Sequence, residues 1–265
     1  MKISKVLAVI YRVLFAAAGL SVVVLHALIE NKVVDWSRWI VVAAAIAVGA
    51  LAFIDNVRVI FYKYQAYERE KARSEMHKPL IGALDFITDY HKAPLKTLGV
   101  SVFAIRRAWR FKWRIVPWWG KQLKQVFRFR VSGYPPDVAV RWTKGKGAVG
   151  ACWEKGIAVI HNRREAARLY GSNGQPPTKQ NYDVLPEQVR CGFTYNEFIQ
   201  TIDNWGEILA MPITEDKTGR FLGVLSIDCL MSYYTTDDTK VLDHDDVRIA
   251  AGGAAFSVAK DVPKF

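Results

Sequence analysis

Two stretches of the sequence decide the fold: residues 142–162, WTKGKGAVGACWEKGIAVIHN, and residues 207–228, EILAMPITEDKTGRFLGVLSID. In the second stretch, the apolar residues 208–213 and 221–227 flank a turn-rich segment, and this order predicts a β-hairpin. Both arms are apolar along nearly their whole length. We therefore expect both faces of the hairpin to be buried.

The first stretch is organised around three glycines. Gly145, Gly147 and Gly150 precede a short segment that ends at Trp153, and the Ile- and Val-rich residues 157–160 follow. Glycine permits tight turns with positive φ, whereas β-branched residues favour strands. The stretch therefore predicts a glycine-rich turn, a short helix and a strand.

Together the two stretches resemble the GAF family of small-molecule sensor domains, and the resemblance covers about residues 80–262. In that family a Gly-x-Gly-x-x-Gly turn opens a short helix beside the ligand pocket. A strand ending in Met/Val-Pro-Ile then precedes a Gly-x-Leu-Gly-Val-Leu strand, and Met211-Pro212-Ile213 and residues 219–225 are similar to these two. The resemblance implies an α+β fold with a GAF-like antiparallel sheet flanked by helices.

The net charge of +12 on 265 residues is concentrated in one part of the chain. Residues 63–146 contain 19 Lys and Arg residues against six Asp and Glu residues, a local charge of +13. Such a segment favours an anionic partner: lipid head groups, nucleic acid or a phosphorylated ligand. The three cysteines form no Cys-x-x-Cys pair, which favours a reducing compartment over a disulfide framework.

Residues 1–62 predict a two-helix transmembrane hairpin. Residues 6–29 are apolar except for Arg12 and His26, and residues 39–61 form a second apolar run interrupted near its end by Asp55. At about 1.5 Å per residue, each run can cross a hydrocarbon core of about 30 Å. Basic residues lie before the first run and after the second run. We therefore expect a multi-pass protein of the cell membrane with both termini and the sensor domain in the cytoplasm. The alternative for the first run is a cleaved signal peptide. The ionisable residues Arg12, His26 and Asp55 either reach a membrane interface or take part in helix–helix contacts within an oligomer.

Residues 63–79 predict a cytosolic helical linker, because they are rich in helix formers and contain no glycine or proline until the proline that ends them. We expect the second membrane helix to stop at this proline. The linker is either a relay between membrane and sensor or a stiff spacer. Leu80, Leu84 and Ile87 share one helical face and open the GAF-like sensor domain, residues 80–265.

Residues 101–131 alternate apolar and basic side chains, and this period of two predicts a pair of strands joined by a turn at residues 116–120. The resulting hairpin has an aromatic face and a cationic face. The cations are Arg106, Arg110, Lys112, Arg114, Arg128 and Arg130. The cationic face is either exposed to solvent or contacts anionic lipid of the adjacent membrane. Nucleic acid is a less favoured partner.

The GAF resemblance places a ligand pocket between the sheet and the aromatic segment 189–205. The expected pocket residues are Trp153, Asn162, Phe193, Tyr195, Phe198, Trp205, Met211 and Asp228. The alternative is that these side chains fill the core. No acidic residue follows the glycine turn at the distance a dinucleotide site requires, so neither ligand nor cofactor is identified.

Thiol chemistry is the enzymatic alternative. One GAF subfamily reduces free methionine-R-sulfoxide with cysteines near the glycine turn, and Cys152 and Cys191 lie in similar regions, although Val149 stands where that subfamily has its first cysteine. His161 and His244 are isolated in the sequence, so we expect no metal site.

We therefore expect a non-enzymatic, membrane-anchored sensor that binds a small cytosolic molecule and relays the signal to its transmembrane helices. In one variant the helices themselves perturb the bilayer, as a membrane effector does. Residues 242–262 predict a final helix, which in the GAF family packs on the sheet and often dimerises, so a homo-oligomer is expected. The alternatives are a cysteine-dependent reductase and a lipid- or nucleic-acid-docking module that uses the basic hairpin 101–131.

Overall fold

A computed structural model describes residues 18–24, 26–31, 38–112, 116–135, 140–172, 174–235 and 240–265, without the side chains of residues 38, 41, 108–112, 116–119 and 235. Most of the first predicted membrane run, including Arg12, and Arg114 of the basic hairpin therefore lie outside the described residues. The chain divides into two compact units, Met1–Tyr67 and Glu68–Phe265.

The first unit contains helical residues 18–24 and 26–30, which we call α1, and the beginning of a much longer helix, α2 (Arg38–His91). Within the described residues, one helix is long and apolar enough to cross a membrane, and it is the Val42–His91 part of α2. Its apolar window is not buried in the protein, and Ile46 and Phe53 are 67% and 70% exposed.

The helix α2 passes through Pro79, where we had expected it to end. Proline removes one backbone N–H donor and restricts the residue before it, so it normally interrupts a helix. Here the turns on both sides of the proline are anchored by packing, because Met76, Leu80, Leu84 and Ile87 are all fully buried. Tertiary packing therefore outweighs the local preference.

The second unit is built on one five-stranded antiparallel sheet. Its strands are β1 (Leu98–Lys112), β2 (Val116–Phe129), β3 (Val159–Asn162), β4 (Trp205–Thr214) and β5 (Phe221–Leu230). Their order across the sheet is β2-β1-β5-β4-β3. The predicted hairpin is formed by β4 and β5, and the mixed α+β class with an antiparallel sheet is confirmed.

The strands β1 and β2 pair over most of their length, and residues 116–120, predicted as a turn, belong to β2. The register between the two strands shifts at one point: Val102 pairs with Phe127 and the next residue, Phe103, pairs with Gln125, so Val126 of β2 forms a bulge. A bulge adds one residue to one strand, so the alternation of side chains between the two faces changes at that point. By this register Arg128, opposite Ser101, lies on one face of the sheet and Arg106 lies on the other.

Helices cover both faces of the sheet. Besides its part of α2, the second unit contains the helices α3 (Gly147–Lys155), α4 (Arg164–Tyr170), α5 (Lys179–Asp183), α6 (Glu187–Arg190), α7 (Tyr195–Thr201) and α8 (Asp245–Val258). One face packs with α2 and α8 in the main core, where Val100, Leu225 and Val247 are fully buried. The other face packs with α3, through Phe103, Val149 and other apolar residues.

The start of α8 is set by a buried carboxylate. Glu207 on β4 is 1% exposed and accepts hydrogen bonds from the backbone N–H groups of Val241 (2.9 Å) and Leu242 (2.8 Å). The final helix therefore begins close to the predicted position, with His244 as its N-cap residue.

Candidate ligand-binding site

A cavity of about 60 Å³, measured as the space open to the centres of water-sized molecules, lies on the α3 side of the sheet. That volume holds a few water-sized groups, since about 10–15 Å³ on this measure holds one water. Its lining combines aromatic residues with three arginines and one carboxylate. The lining residues are Ser101, Phe103, Gln125, Arg128, Arg130, Trp142, Gly147, Ala148, Val149, His161, Arg163, Phe193, Trp205, Ile208, Ser226 and Asp228.

The glycine turn brings the first turn of α3 to this cavity. Gly147 has φ +59° and its N–H donates to the carbonyl of Cys191 at 2.7 Å. A Cβ atom at this position would lie 3.0 Å from Phe193 Cζ and 3.2 Å from Trp142 Cζ3. Only glycine therefore allows both the backbone conformation and the close approach of the two rings. The free N–H groups of a helix's first turn favour an anion nearby.

The helix α7 holds this turn in place. Thr194 and Glu197 form a capping box at its start, and Lys146, the residue before Gly147, lies 2.8 Å from Glu197 Oε2 and 2.9 Å from Oε1. Burial alone would raise the pKa of Glu197, but the hydrogen bonds from Lys146 and Thr194 outweigh it and lower this pKa. The carboxylate is thus charged at neutral pH and ties the two helices together.

Arg163 carries the most unusual electrostatics of the site. The residue is 3% exposed, and its Nη1 lies 3.3 Å from both the carbonyl and the hydroxyl of Thr201. Its Nε and Nη2 are buried and have no hydrogen-bond partner. In the part of the chain that the structure describes, no carboxylate lies within ion-pair distance of this guanidinium, whose carbon is 5.3 Å from the Phe193 ring centroid. Burial lowers the pKa of Arg163, because charge is disfavoured there, and nearby groups that include the Asp203 carboxylate offset only part of this effect.

The other two arginines are anchored. Arg130 pairs with Asp228 and donates to the carbonyl of Thr97 at 3.2 Å, and burial, followed by the charge of Arg128, lowers its pKa to about 10. Arg128 donates to the carbonyl of Pro135. Among the described lining residues, three guanidinium groups therefore accompany one carboxylate at neutral pH.

His161 adds a neutral polar group to the wall. Its Nδ1 is buried without a hydrogen-bond partner. Burial, and then the positive charges of Arg163 and Lys155, lower its pKa to about 4. The ring is therefore neutral at pH 7 and can donate or accept one hydrogen bond.

Of the eight residues expected from the sequence to form the pocket, the structure brings Phe193, Trp205 and Asp228 to the cavity wall. Four others pack elsewhere: Trp153 beside Lys144, Tyr195 and Phe198 around Tyr182, and Met211 against the main core. Asn162 lies outside the cavity, where its side-chain oxygen accepts from the backbone N–H of Arg164 at 3.0 Å.

The six cations of the predicted basic face do not share one environment. Arg128 and Arg130 line the cavity, whereas Arg106 lies on the opposite face, where burial and the charge of Arg69 lower its pKa. The side chains of Arg110 and Lys112, and all of Arg114, lie outside the described residues. The extra residue Val126 of β2 explains this division, because beyond it the even-numbered residues of β2 share a face with the odd-numbered residues of β1.

Sequence reasoning did not single out Arg163 or Trp142 as pocket residues. Arg163 follows the strand β3 directly as the N-cap residue of α4, within the run HNRR. The available signal was a basic pair that follows a strand directly. Whether such a residue has a partner depends on residues far away in the chain.

The cysteines are poorly placed for nucleophilic chemistry. Burial raises the pKa of Cys152 to about 12, and burial also raises the pKa of Cys191. A thiolate is the reactive form of cysteine, and reactive cysteines have lowered pKa values. Both thiols are therefore protonated at neutral pH.

No protein-family model matches the chain, and no curated protein shows a significant match to it.

Proposed function

We propose that this protein is a membrane-anchored, GAF-like sensor that binds a small anion in the cavity beside Arg163. The observation that carries the proposal is the buried guanidinium of Arg163, whose Nε and Nη2 lack partners at the wall of an open cavity. The Asp203 carboxylate acts on this guanidinium without forming an ion pair with it. A buried charge that has no ion-pair partner in contact costs several kcal/mol. A carboxylate or phosphate oxygen would supply the missing acceptor and the missing charge.

The rest of the cavity favours the same class of ligand. The buried guanidinium of Arg163 and the first turn of α3 favour an anion, and Phe103, Trp142 and Trp205 provide apolar contact. The volume of about 60 Å³ fits a short carboxylate or a phosphate and excludes a whole dinucleotide in this conformation.

The apolar part of α2 supports the membrane anchor. In the proposal α1 and α2 form the two-helix hairpin, the second unit lies in the cytoplasm, and the protein is a homo-oligomer. The helix α2 has residues in both units, and its buried Leu80 and Leu84 belong to the main core of the second unit. A change in that core upon ligand binding would thus act on the same helix that carries the membrane span.

The test uses the full chain purified in detergent. Native mass spectrometry first identifies any retained small molecule, and titration with phosphate and short carboxylates is then followed by tryptophan fluorescence, because Trp142 and Trp205 line the cavity. We expect saturable binding of an anion, with an affinity at least about 10-fold lower in Arg163→Met, since a charged hydrogen bond is worth about 1.5–3 kcal/mol. Binding that is equal in both proteins would refute the proposed site.

The membrane effect needs a separate measurement. The protein is reconstituted into vesicles that contain a trapped fluorescent dye, and the identified anion is added. Ion or dye leakage that depends on Arg163 supports an effector that acts on the bilayer. If the bilayer stays intact while the anion is bound, the hypothesis of an effector that acts on the bilayer is refuted. The remaining hypothesis is a sensor that signals to a partner protein.

A further inference from the structure

A second group of chemically active side chains lies away from the cavity. His91 is the last residue of α2, His244 is the N-cap residue of α8, and Asp246 lies in the first turn of α8. One ring nitrogen of each histidine and one carboxylate oxygen of Asp246 lie within 4.8 Å of one another. The fold thus brings together two histidines that are far apart in the sequence.

The contact between His91 and Asp246 is not a hydrogen bond. His91 Nε2 and Asp246 Oδ2 are 3.6 Å apart, and both atoms are buried without a hydrogen-bond partner. A hydrogen bond between them would be about 2.7–3.2 Å long. The observed distance is close to the separation of about 3.4 Å between two ligands of a tetrahedral metal ion with bonds of about 2.1 Å.

His244 is oriented by a second contact. Its Nε2 lies 2.8 Å from the carbonyl oxygen of Lys240. Because a carbonyl only accepts, Nε2 carries the proton in the neutral ring and Nδ1 keeps its lone pair. A histidine whose second nitrogen donates to a backbone carbonyl is the usual arrangement of a metal ligand. The centroids of the two imidazole rings lie 4.4 Å apart.

The neighbouring charged groups are engaged elsewhere. Asp243 pairs with Lys240 at 2.8 Å and with Arg248 at 2.7 Å, and Asp245 pairs with Arg248 at 3.4 Å. In this cluster, as far as the structure describes it, Asp246 is therefore the carboxylate left for a cation.

We propose that His91, His244 and Asp246 bind one divalent transition-metal ion of the Zn²⁺ type. Two imidazole nitrogens and one carboxylate suit Zn²⁺, Co²⁺ or Ni²⁺ better than Mg²⁺ or Ca²⁺, which prefer oxygen ligands. The exposure of His244 leaves room for water as a further ligand. The bound ion fastens the end of α2 to the beginning of α8. From the sequence we had expected no metal site, because the histidines are isolated along the chain. Sequence spacing cannot show that His91 and His244 meet in the fold.

The experiment measures metal binding by the full chain after treatment with a chelator. Zn²⁺ is added, the unbound excess is removed by dialysis, and the Zn²⁺ that remains bound is counted by mass spectrometry. Co²⁺ is used in a parallel sample as a coloured probe of coordination. We expect one Zn²⁺ per chain and a rise of about 5–10 °C in Tm when free Zn²⁺ is about 100 times its Kd. The variants His244→Ala and Asp246→Asn should each bind Zn²⁺ at least about 10-fold more weakly.

The matched control is His77→Ala, which removes an exposed histidine of the same helix. It should bind Zn²⁺ like the original chain. If His244→Ala and Asp246→Asn keep the original affinity and Co²⁺ spectrum, the proposed site is refuted. Circular dichroism of the metal-free variants checks that they are folded. Anion binding in the cavity is measured on the same samples, so failure of this site is distinguishable from failure of the proposed sensor function.

Discussion

The guanidinium of Arg163 links stability to ligand binding at the scale of a single residue. In the ligand-free protein its two unpartnered nitrogens are buried, which opposes folding. A bound anion converts the same group into the strongest contact of the cavity. Residues that serve binding in this way are commonly retained at a cost in stability.

The variant Arg163→Met tests this link. Replacing the unpaired charge by an apolar side chain of similar length should raise the free energy of unfolding of the ligand-free protein by about 1–4 kcal/mol. Phosphate or a short carboxylate should stabilise the original chain and leave the variant unchanged. Urea unfolding with and without the anion measures both effects.

A suitable control is Lys217→Met, which changes an exposed cation of the turn between β4 and β5 and should alter stability by less than about 0.5 kcal/mol. A variant Arg163→Met that is less stable than the original, and still gains stability from the anion, would contradict our interpretation of the cavity.

His161 predicts a pH dependence of stability. Its pKa of about 4 in the folded protein lies below the value of about 6.5 in an unfolded chain. The unfolded state therefore binds the proton first as the pH falls, so the folded state loses stability between about pH 6.5 and pH 4, by up to about 3 kcal/mol. Above pH 6.5 the residue contributes no pH dependence.

The measurement compares urea unfolding at pH 7 and pH 4.5 for the original chain and for His161→Asn. The carboxylates titrate in both proteins, so the difference between them isolates the histidine. We expect a smaller loss of stability in the variant. Equal losses would mean that His161 is accessible to protons in the folded protein.

At the scale of elements, the glycine turn before α3 determines the shape of the cavity. The variant Gly147→Ala should destabilise the protein by more than about 1 kcal/mol, because it combines positive φ with crowding against Phe193 and Trp142. It should also weaken anion binding about 10-fold or more, because both rings line the cavity.

Gly156→Ala provides the control at the other end of α3. Gly156 also has positive φ, at +71°, but a Cβ atom there meets nothing within 4 Å. This variant should show the conformational cost of about 1 kcal/mol and keep the original affinity for the anion. If Gly147→Ala and Gly156→Ala bind the anion with similar affinity, the glycine turn before α3 is not part of the anion site. Unfolding curves and fluorescence titration supply the data.

The same elements show what the sequence can predict. The β4–β5 hairpin and the start of α3 follow from local patterns, apolar runs beside a turn and glycines before a helix, and both were predicted. The extra residue of β2 is Val126, and its apolar side chain beside Phe127 is only a small break in the alternation. The separation of Arg106 from Arg128 was therefore not predicted. The continuation of α2 through Pro79 likewise depends on packing by distant residues.

The candidate site was less predictable than the fold. Phe193, Trp205 and Asp228 were predicted because the GAF resemblance implies a pocket between the sheet and residues 189–205, and the structure brings these three residues to the cavity. The decisive property of Arg163 is the lack of a partner, and this property exists only after distant segments have packed. The meeting of His91 with His244 has the same origin.

At the scale of the whole molecule, the proposed topology places the two units in different surroundings. The basic residues 63–73 follow the apolar part of α2, whereas Asn31 ends α1 in a segment of low net charge. Positively charged flanks stay in the cytoplasm, so residue 31 should face the exterior and the second unit should face the interior.

Two single-cysteine additions test this arrangement. In intact cells, Asn31→Cys should react with a membrane-impermeant maleimide, whereas Val184→Cys, at a position that is 80% exposed in the second unit, should react only after permeabilisation. The unmodified chain provides the background from its three native cysteines, of which Cys152 and Cys229 are buried. Labelling of residue 31 only after permeabilisation would show that α2 does not span the membrane in this orientation, and a relay through α2 would then have no membrane segment to act on.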